Sequence, residues 1–92
     1  MYGTVAKMIV KPGAEQQLSK IGSQRKRLGQ IKSYVFKSDN VPNEFWMVTV
    51  FKDKATYLAN ADSPEQDEEF RNMMKYLNQE PEWHDGEVIF EE

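Results

Sequence analysis

His84 is the one histidine among the 92 residues, and histidine is the side chain whose ordinary titration lies near neutrality. It stands beside Asp85, at the opening of the last apolar segment. There it is a candidate general base or a hydrogen-bonding group for a substrate; the plain alternative is an exposed histidine in a turn. Asn60 follows a short helical stretch. An amide in a cleft orients a carbonyl or phenol oxygen, or dioxygen, without titrating, whereas one at a helix end caps it. Tyr34 and Tyr57 offer hydroxyls to a phenolic ligand, against the alternative of packing with a wet hydroxyl. Met74, with its neighbour Met73, and Trp46 supply surfaces that ligands favour, although apolar residues at such spacing also build cores.

Several chemistries drop out. With no Cys there is neither a disulfide nor a thiol nucleophile, and a single His nearly excludes structural zinc. There is no Gly-rich phosphate loop, no HExxH and no Ser-His-Asp order. Asp62, Glu65, Asp67, Glu68 and Glu69 lack the spacing of a Ca²⁺ loop with its central Gly. Lys20, Arg25, Lys26 and Arg27 form a basic cluster without interleaved aromatics, in a chain of net charge −3. The cluster reads as a solvated helix face, and nucleic acid is not an expected partner. No apolar run approaches the length of a membrane span. Met1–Met8 lacks the basic start and apolar block of a signal peptide, so cytoplasmic residence without a membrane partner is expected.

The elements that must position these groups follow from period and punctuation. Residues 2–11 read as a strand, with Thr4, Ala6, Met8 and Val10 on one face and Val5, Lys7 and Ile9 on the other. Pro12-Gly13 ends it. Residues 14–28 read as a helix with Leu18, Ile21, Arg25 and Leu28 on one stripe and Gly29 as its C-terminal cap. A second strand covers 31–38, a turn 39–43 and a third strand 44–52. The third strand is nearly all apolar, with Phe45, Met47 and Phe51 on one face and Trp46, Val48 and Val50 on the other. Such a strand expects cover on both sides. Asp53 caps a short helix running through Asn60. Ser63-Pro64-Glu65-Gln66 then places a capping hydroxyl, a proline at the first helical position and a Gln three residues on. Phe70, Met73, Met74 and Leu77 form that helix's stripe, and residues 82–91 read as a fourth strand.

The order strand, helix, strand, strand, helix pair, strand is the split βαβ, or ferredoxin-like, arrangement of an α+β domain. Its helices cover one face of an antiparallel sheet. The other face carries Val5, Ile9, Trp46, Val48 and Val50, an apolar patch of the kind that marks a binding surface. Hydrophobic residues make up only 39% of the chain, and mean hydropathy is −0.75. So small a core usually needs a supplement. A partner subunit is the one left, so these five residues are the expected interface of a homodimer.

The stretch from Val50 through Phe51-Lys52-Asp53-Lys54-Ala55-Thr56-Tyr57-Leu58-Ala59-Asn60-Ala61-Asp62-Ser63-Pro64, with the element order, resembles the antibiotic biosynthesis monooxygenase-type family of the dimeric α+β barrel superfamily. Members typically carry an aromatic, a short polar turn, a helix turn, a His and a Ser-Pro-like helix start at this spacing. The resemblance covers essentially the whole chain, 1–92, as a single domain, and implies a subunit that pairs through its sheet into a dimeric barrel. The family holds cofactor-independent oxygenases acting on aromatic polyketides, heme-degrading enzymes and small proteins with no assigned reaction. Here a common acidic position is Thr49, the usual Trp is Phe51 and the usual His is Asn60. The heme-degrading branch's Asn, Trp and His fall on Ala6, Asn60 and Phe70, so heme degradation is not expected.

The resemblance therefore implies a monooxygenase-like enzyme for a small aromatic or phenolic metabolite, without metal or organic cofactor. Its ligand would lie between sheet and helices near Thr49, Phe51 and Asn60. Tyr34, Tyr57 and Met74 are further substrate-binding candidates, and Asn60 and His84 the catalytic ones. Two alternatives stand beside it. One is a non-catalytic small-molecule-binding or accessory dimer, since the placed family positions are substituted. The other is an isomerase or lyase using His84 as base.

Overall fold

The computed structural model describes residues 1–23 and 27–92. The elements are β1 (Tyr2–Ile9), α1 (Glu15–Ser23), β2 (Gln30–Lys37), β3 (Glu44–Phe51), α2 (Lys54–Ala61), α3 (Pro64–Met74) and β4 (Glu82–Glu87). The strands form one antiparallel sheet in the order β2-β3-β1-β4. The two most apolar strands, β1 and β3, are thus central, and β2 and the polar β4 are edges. This is the expected ferredoxin-like α+β subunit.

Strand alternation decides what each face carries. Thr4, Ala6 and Met8 of β1 stand opposite Thr49, Met47 and Phe45 of β3, and all but the half-buried Met47 are buried. Met8, Val10, Ala14, Phe45 and Leu77 form the buried cluster under the helices, with Leu18, Met73, Met74 and Tyr76 packed against it. Val5, Trp46, Val48 and Val50 take the other face, joined by Tyr34 and Phe36 of β2. No helix of the described residues is long and apolar enough to cross a membrane.

Caps start both later helices. Asp53 accepts from Thr56 N at 2.8 Å, and Ser63 Oγ accepts from Gln66 N at 3.1 Å with Pro64 as the first helical residue. Each cap satisfies an amide that a helix start leaves without an intrahelical acceptor.

The element ends differ from expectation for identifiable reasons. β1 stops at Ile9, because Val10 N turns to Asn43 O and Lys11 N to Tyr76 O, both at 2.8 Å. The helix expected over 14–28 is Glu15–Ser23. Arg27 to Gly29 forms a turn instead, closed by Gln30 N on Arg27 O and by Gly29 at φ 81°. Leu28, expected on the apolar stripe, is therefore 90% exposed; Arg25 lies outside the described residues. The fourth strand, expected to 91, ends at Glu87, opposite Tyr2. There β4 runs out of partner: Val88 N still reaches Met1 O, and Ile89 and Phe90 lie exposed beyond it.

Candidate functional site

Between the sheet and the three helices lies a cavity of about 730 Å³, within the usual size range for small-molecule sites. Much of its wall is apolar: Leu18 and Ile21 from α1, Phe70 and Met73 from α3, and Met47, Phe51 and Trp83 from the sheet. Phe70 and Trp83 face each other with centroids 6.3 Å apart.

Besides Ser19 and the exposed Glu15–Lys37 pair, joined at 3.1 Å, polar groups enter at two places. The first is the corner where α2 meets α3. Asn60 Nδ2 donates to Gln66 Oε1 at 3.2 Å, and Arg27 Nε donates to the same oxygen at 3.4 Å. Arg27 also pairs with Glu69, both side chains being 14% exposed. A largely desolvated pair of this kind holds its members in place more firmly than a surface pair.

The second place is the sheet. Ser33 and Thr49 share a hydroxyl–hydroxyl bond of 3.1 Å. Next to Thr49 across the ladder, Thr4 is 5% exposed, and its hydroxyl has no hydrogen-bond partner. The Tyr57 hydroxyl donates to Asp85 Oδ1 at 2.9 Å, while its ring packs edge-on against Phe51 at 5.5 Å. Burial, with the Asp85 carboxylate second, pushes the Tyr57 phenol up to about 12. It is therefore a neutral hydroxyl at physiological pH. Thr4 lies near enough to Tyr57 to favour its anion slightly, although the contact lacks hydrogen-bond geometry.

Of the residues singled out from the sequence, Thr49, Phe51, Tyr57 and Asn60 line this cavity. Three others do not. Tyr34 pairs with Val48 on the far face of the sheet. His84 pairs with Val5 on that same face, where it bonds Glu82 at 2.8 Å and is exposed. Strand alternation turns Asp85, not His84, toward Tyr57. Met74 packs against the buried cluster, and Met73 takes the cavity position. Val5, Trp46, Val48 and Val50 share the far face, and by alternation Ile9, opposite Glu44, continues it.

Among the cavity residues that escaped the sequence reading are Thr4, Arg27, Gln66 and Trp83. Thr4 was visible as a polar residue on the otherwise apolar face of β1. Gln66 was visible as a capping-box residue, but its side chain leaves the cap for the cavity. Arg27, expected on a solvated face, is instead drawn inward by Glu69 and Gln66.

No curated protein matches the chain. Among solved structures, a conserved protein from Methanosarcina mazei Go1 is similar, with 23% identity, 92% of this chain and 89% of that one covered, and a TM-score of 0.77. SnoaB from Streptomyces nogalater, a cofactor-independent oxygenase solved as an asparagine-to-alanine variant, is similar at 10% identity. That match covers 98% of this chain and 94% of the other, with a TM-score of 0.82. At these identities the likeness speaks for the fold. The family model for antibiotic biosynthesis monooxygenase matches residues 1–76, which hold every element but β4. The chain belongs to the antibiotic biosynthesis monooxygenase family.

Proposed function

We propose that the protein is a cofactor-independent monooxygenase acting on a small aromatic or phenolic metabolite bound between sheet and helices. The observation that carries this reading is the cavity itself: apolar for most of its wall, with polar groups gathered on the sheet and at the α2–α3 corner. An aromatic body fits the first part and an oxygen substituent the second. In such a reaction the substrate loses a proton and supplies the electrons to O₂. The protein contributes orientation and a dry pocket. Asn60, held by Gln66, is the candidate to orient a substrate oxygen or dioxygen. Thr49, Phe51 and Tyr57 are the candidates to hold the ring.

The working form is a homodimer joined through the far face of the sheet, which carries Val5, Ile9, Trp46, Val48 and Val50. Tyr34 and Phe36, 51% and 58% exposed, extend that apolar face, and a partner sheet would cover it.

Oxygen uptake with a panel of hydroxyquinones and polyhydroxylated aromatics tests the reading. Uptake dependent on the protein, and reduced in Asn60→Ala, is expected. Tight binding without uptake would instead favour an accessory, ligand-carrying role. The position of His84 outside the cavity favours that second reading. It also removes support for an isomerase or lyase using His84 as base.

A further inference from the structure

Large apolar side chains lie in water at both edges of the sheet. After β4, Val88 N meets Met1 O at 2.9 Å, and the segment Val88–Glu92 then joins no strand among the described residues. Its Ile89 is 92% and its Phe90 75% exposed. At the opposite edge, β2 has β3 as its neighbour on one side and an open edge on the other. There Tyr34, Val35 and Phe36 are each more than half exposed, with Lys32 and Lys37 flanking them. An open apolar edge is a template for a further strand.

We propose that residues 87–92 of one copy add to β2 of a second copy as an antiparallel strand, and that the two copies exchange these segments reciprocally. The proposal needs the homodimer suggested above and gives it a second contact, separate from the far face of the sheet. The segment cannot serve its own β2 in this way. β4 and β2 are the two edges of one sheet, with β1 and β3 between them, and residues spent crossing those strands cannot also pair with β2.

The first support is register. Val35 and Trp83 both line the cavity, so alternation places Ile89 and Glu91 on the helix-covered face and Val88 and Phe90 on the far face. Two sheets joined edge to edge into one surface must match like faces. Setting Ile89 against Val35 does so. Phe90 then meets Tyr34, Val88 meets Phe36, Glu91 meets Ser33, Glu87 meets Lys37 and Glu92 meets Lys32. Apolar residues thus meet apolar ones, and each lysine meets a carboxylate; both kinds of cross-strand pair are favourable. Lys37 already holds Glu15 at 3.1 Å, and an ammonium with three donors accommodates a second carboxylate. A shift of two residues in either direction keeps the faces but sets Glu87 or Glu91 on Val35. The parallel arrangement that meets both lysines exchanges the faces and sets Glu91 on Phe36.

The second support is position. Val35 lines the cavity yet is 59% exposed, so the cavity is uncovered along β2. In this register the partner's Ile89 lies over that margin. Main-chain bonds along an edge supply affinity, and alternate side chains supply selectivity, as in other strand additions.

The chain has no Cys, so engineered thiols test the register without background. Directly opposed residues stand about 4.5–5.5 Å apart at Cα, within the range a disulfide spans. Val35→Cys combined with Ile89→Cys, oxidised at micromolar concentration, is expected to give a covalent dimer linked between positions 35 and 89 of different chains. Val35→Cys combined with Val88→Cys, whose side chains take opposite faces, should stay unlinked. Ile89→Ser combined with Phe90→Ser should keep the helical signal, because both side chains are exposed in the single subunit. It should raise the dimer dissociation constant about a hundredfold. A dimer that forms no 35–89 link, links equally through 35–88, or is unmoved by the serine pair would overturn the proposal and leave the sheet-to-sheet dimer standing. Linked species larger than a dimer would overturn the reciprocal exchange. A wild type that sediments as a single chain would sink both.

Discussion

Asn60 and Gln66 are bound to each other through both side chain and backbone. Asn60 Nδ2 donates to Gln66 Oε1 at 3.2 Å. Between them, the Ser63 hydroxyl donates to Asn60 O at 2.8 Å and accepts from Gln66 N at 3.1 Å. The cap that starts α3 therefore also fixes the relative position of the two amides at the cavity corner. In a full capping box the Gln would reach back to the Ser63 amide. Here Ser63 N bonds Asn60 O instead, which releases the Gln66 side chain to serve Asn60 and Arg27.

Because the two amides form one unit, their substitutions should not add. Asn60→Ala and Gln66→Ala are each expected to lower ligand affinity or oxygen uptake by a similar factor. The double variant should be little worse than either one. Residues in one hydrogen-bond network show coupling of about 0.5–3 kcal/mol. A double-mutant cycle on probe binding checks this, and simple additivity would show that the amides act separately.

Ser63→Ala should cost stability and site geometry together. Removing a serine N-cap typically costs about 1 kcal/mol, which lowers the melting temperature by about 4–8 °C in a domain of this size. Ser63→Asp, which keeps an acceptor for Gln66 N but cannot donate to Asn60 O, should recover most of the melting temperature. It should recover less of the ligand affinity. Thermal denaturation and probe titration on the same samples separate the two effects.

The Tyr57 phenol, pushed up to about 12 by burial and by Asp85, predicts a high-pH dependence with a definite sign. Its unfolded value is near 10, so the folded state holds the proton more tightly. That contribution to stability is complete below pH 10 and is lost as pH rises through 12. Tyr57→Phe should therefore lose less stability than the wild type between those limits. Spectrophotometric titration should show one of the four tyrosines ionising late, and that late step should vanish in the variant.

The central strands were legible because their alternation is strong. Thr4, Ala6 and Met8 against Val5, and Phe45 and Met47 against Trp46 and Val48, sorted to the faces the period implies. The edges were not legible, for the same reason inverted. In β2 the run Tyr34-Val35-Phe36 is apolar on both faces, and in β4 Glu82-Trp83-His84-Asp85-Gly86-Glu87 is exposed throughout. Neither offers a period to read, and one step of register exchanges the faces. That step put Asp85 rather than His84 beside Tyr57, and Val35 rather than Tyr34 in the cavity. Arg27 was misjudged because its setting depends on Glu69 and Gln66, about forty residues away in sequence, and local charge patterning cannot see a tertiary partner.

Gly3 lets β1 approach β3 closely. A Cβ built there would collide with the backbone carbonyl of Thr49, an atom that cannot step aside. Gly3→Ala should therefore push β1 from β3 next to Thr4 and Thr49, costing about 3 kcal/mol or more, the upper end of overpacking penalties. Gly86, opposite Gly3 on β4, has open space around its Cβ position. Gly86→Ala is the matched control and should leave the denaturant midpoint nearly unchanged. Similar losses in both would show that strand propensity, and not the contact with Thr49, sets the requirement at Gly3.

Val5 offers the sharpest test of the proposed dimer. It lies on a central strand, between Val48 and His84 on the far face, and is 39% exposed in the single subunit. A carboxylate there costs the isolated chain little, because water reaches it. Inside a sheet-to-sheet interface the same charge would be desolvated, at several kcal/mol per ion. Twofold symmetry applies that cost to both copies. Sedimentation at micromolar concentration should find the wild type at twice the 10.8 kDa chain mass and Val5→Asp at the monomer mass, with helical signal retained. The monomeric variant should keep its cavity, which is built within one subunit, though it should be less stable to heat. A wild type that sediments as a 10.8 kDa species would instead leave Trp46, Tyr34 and Phe36 as a surface for some other partner.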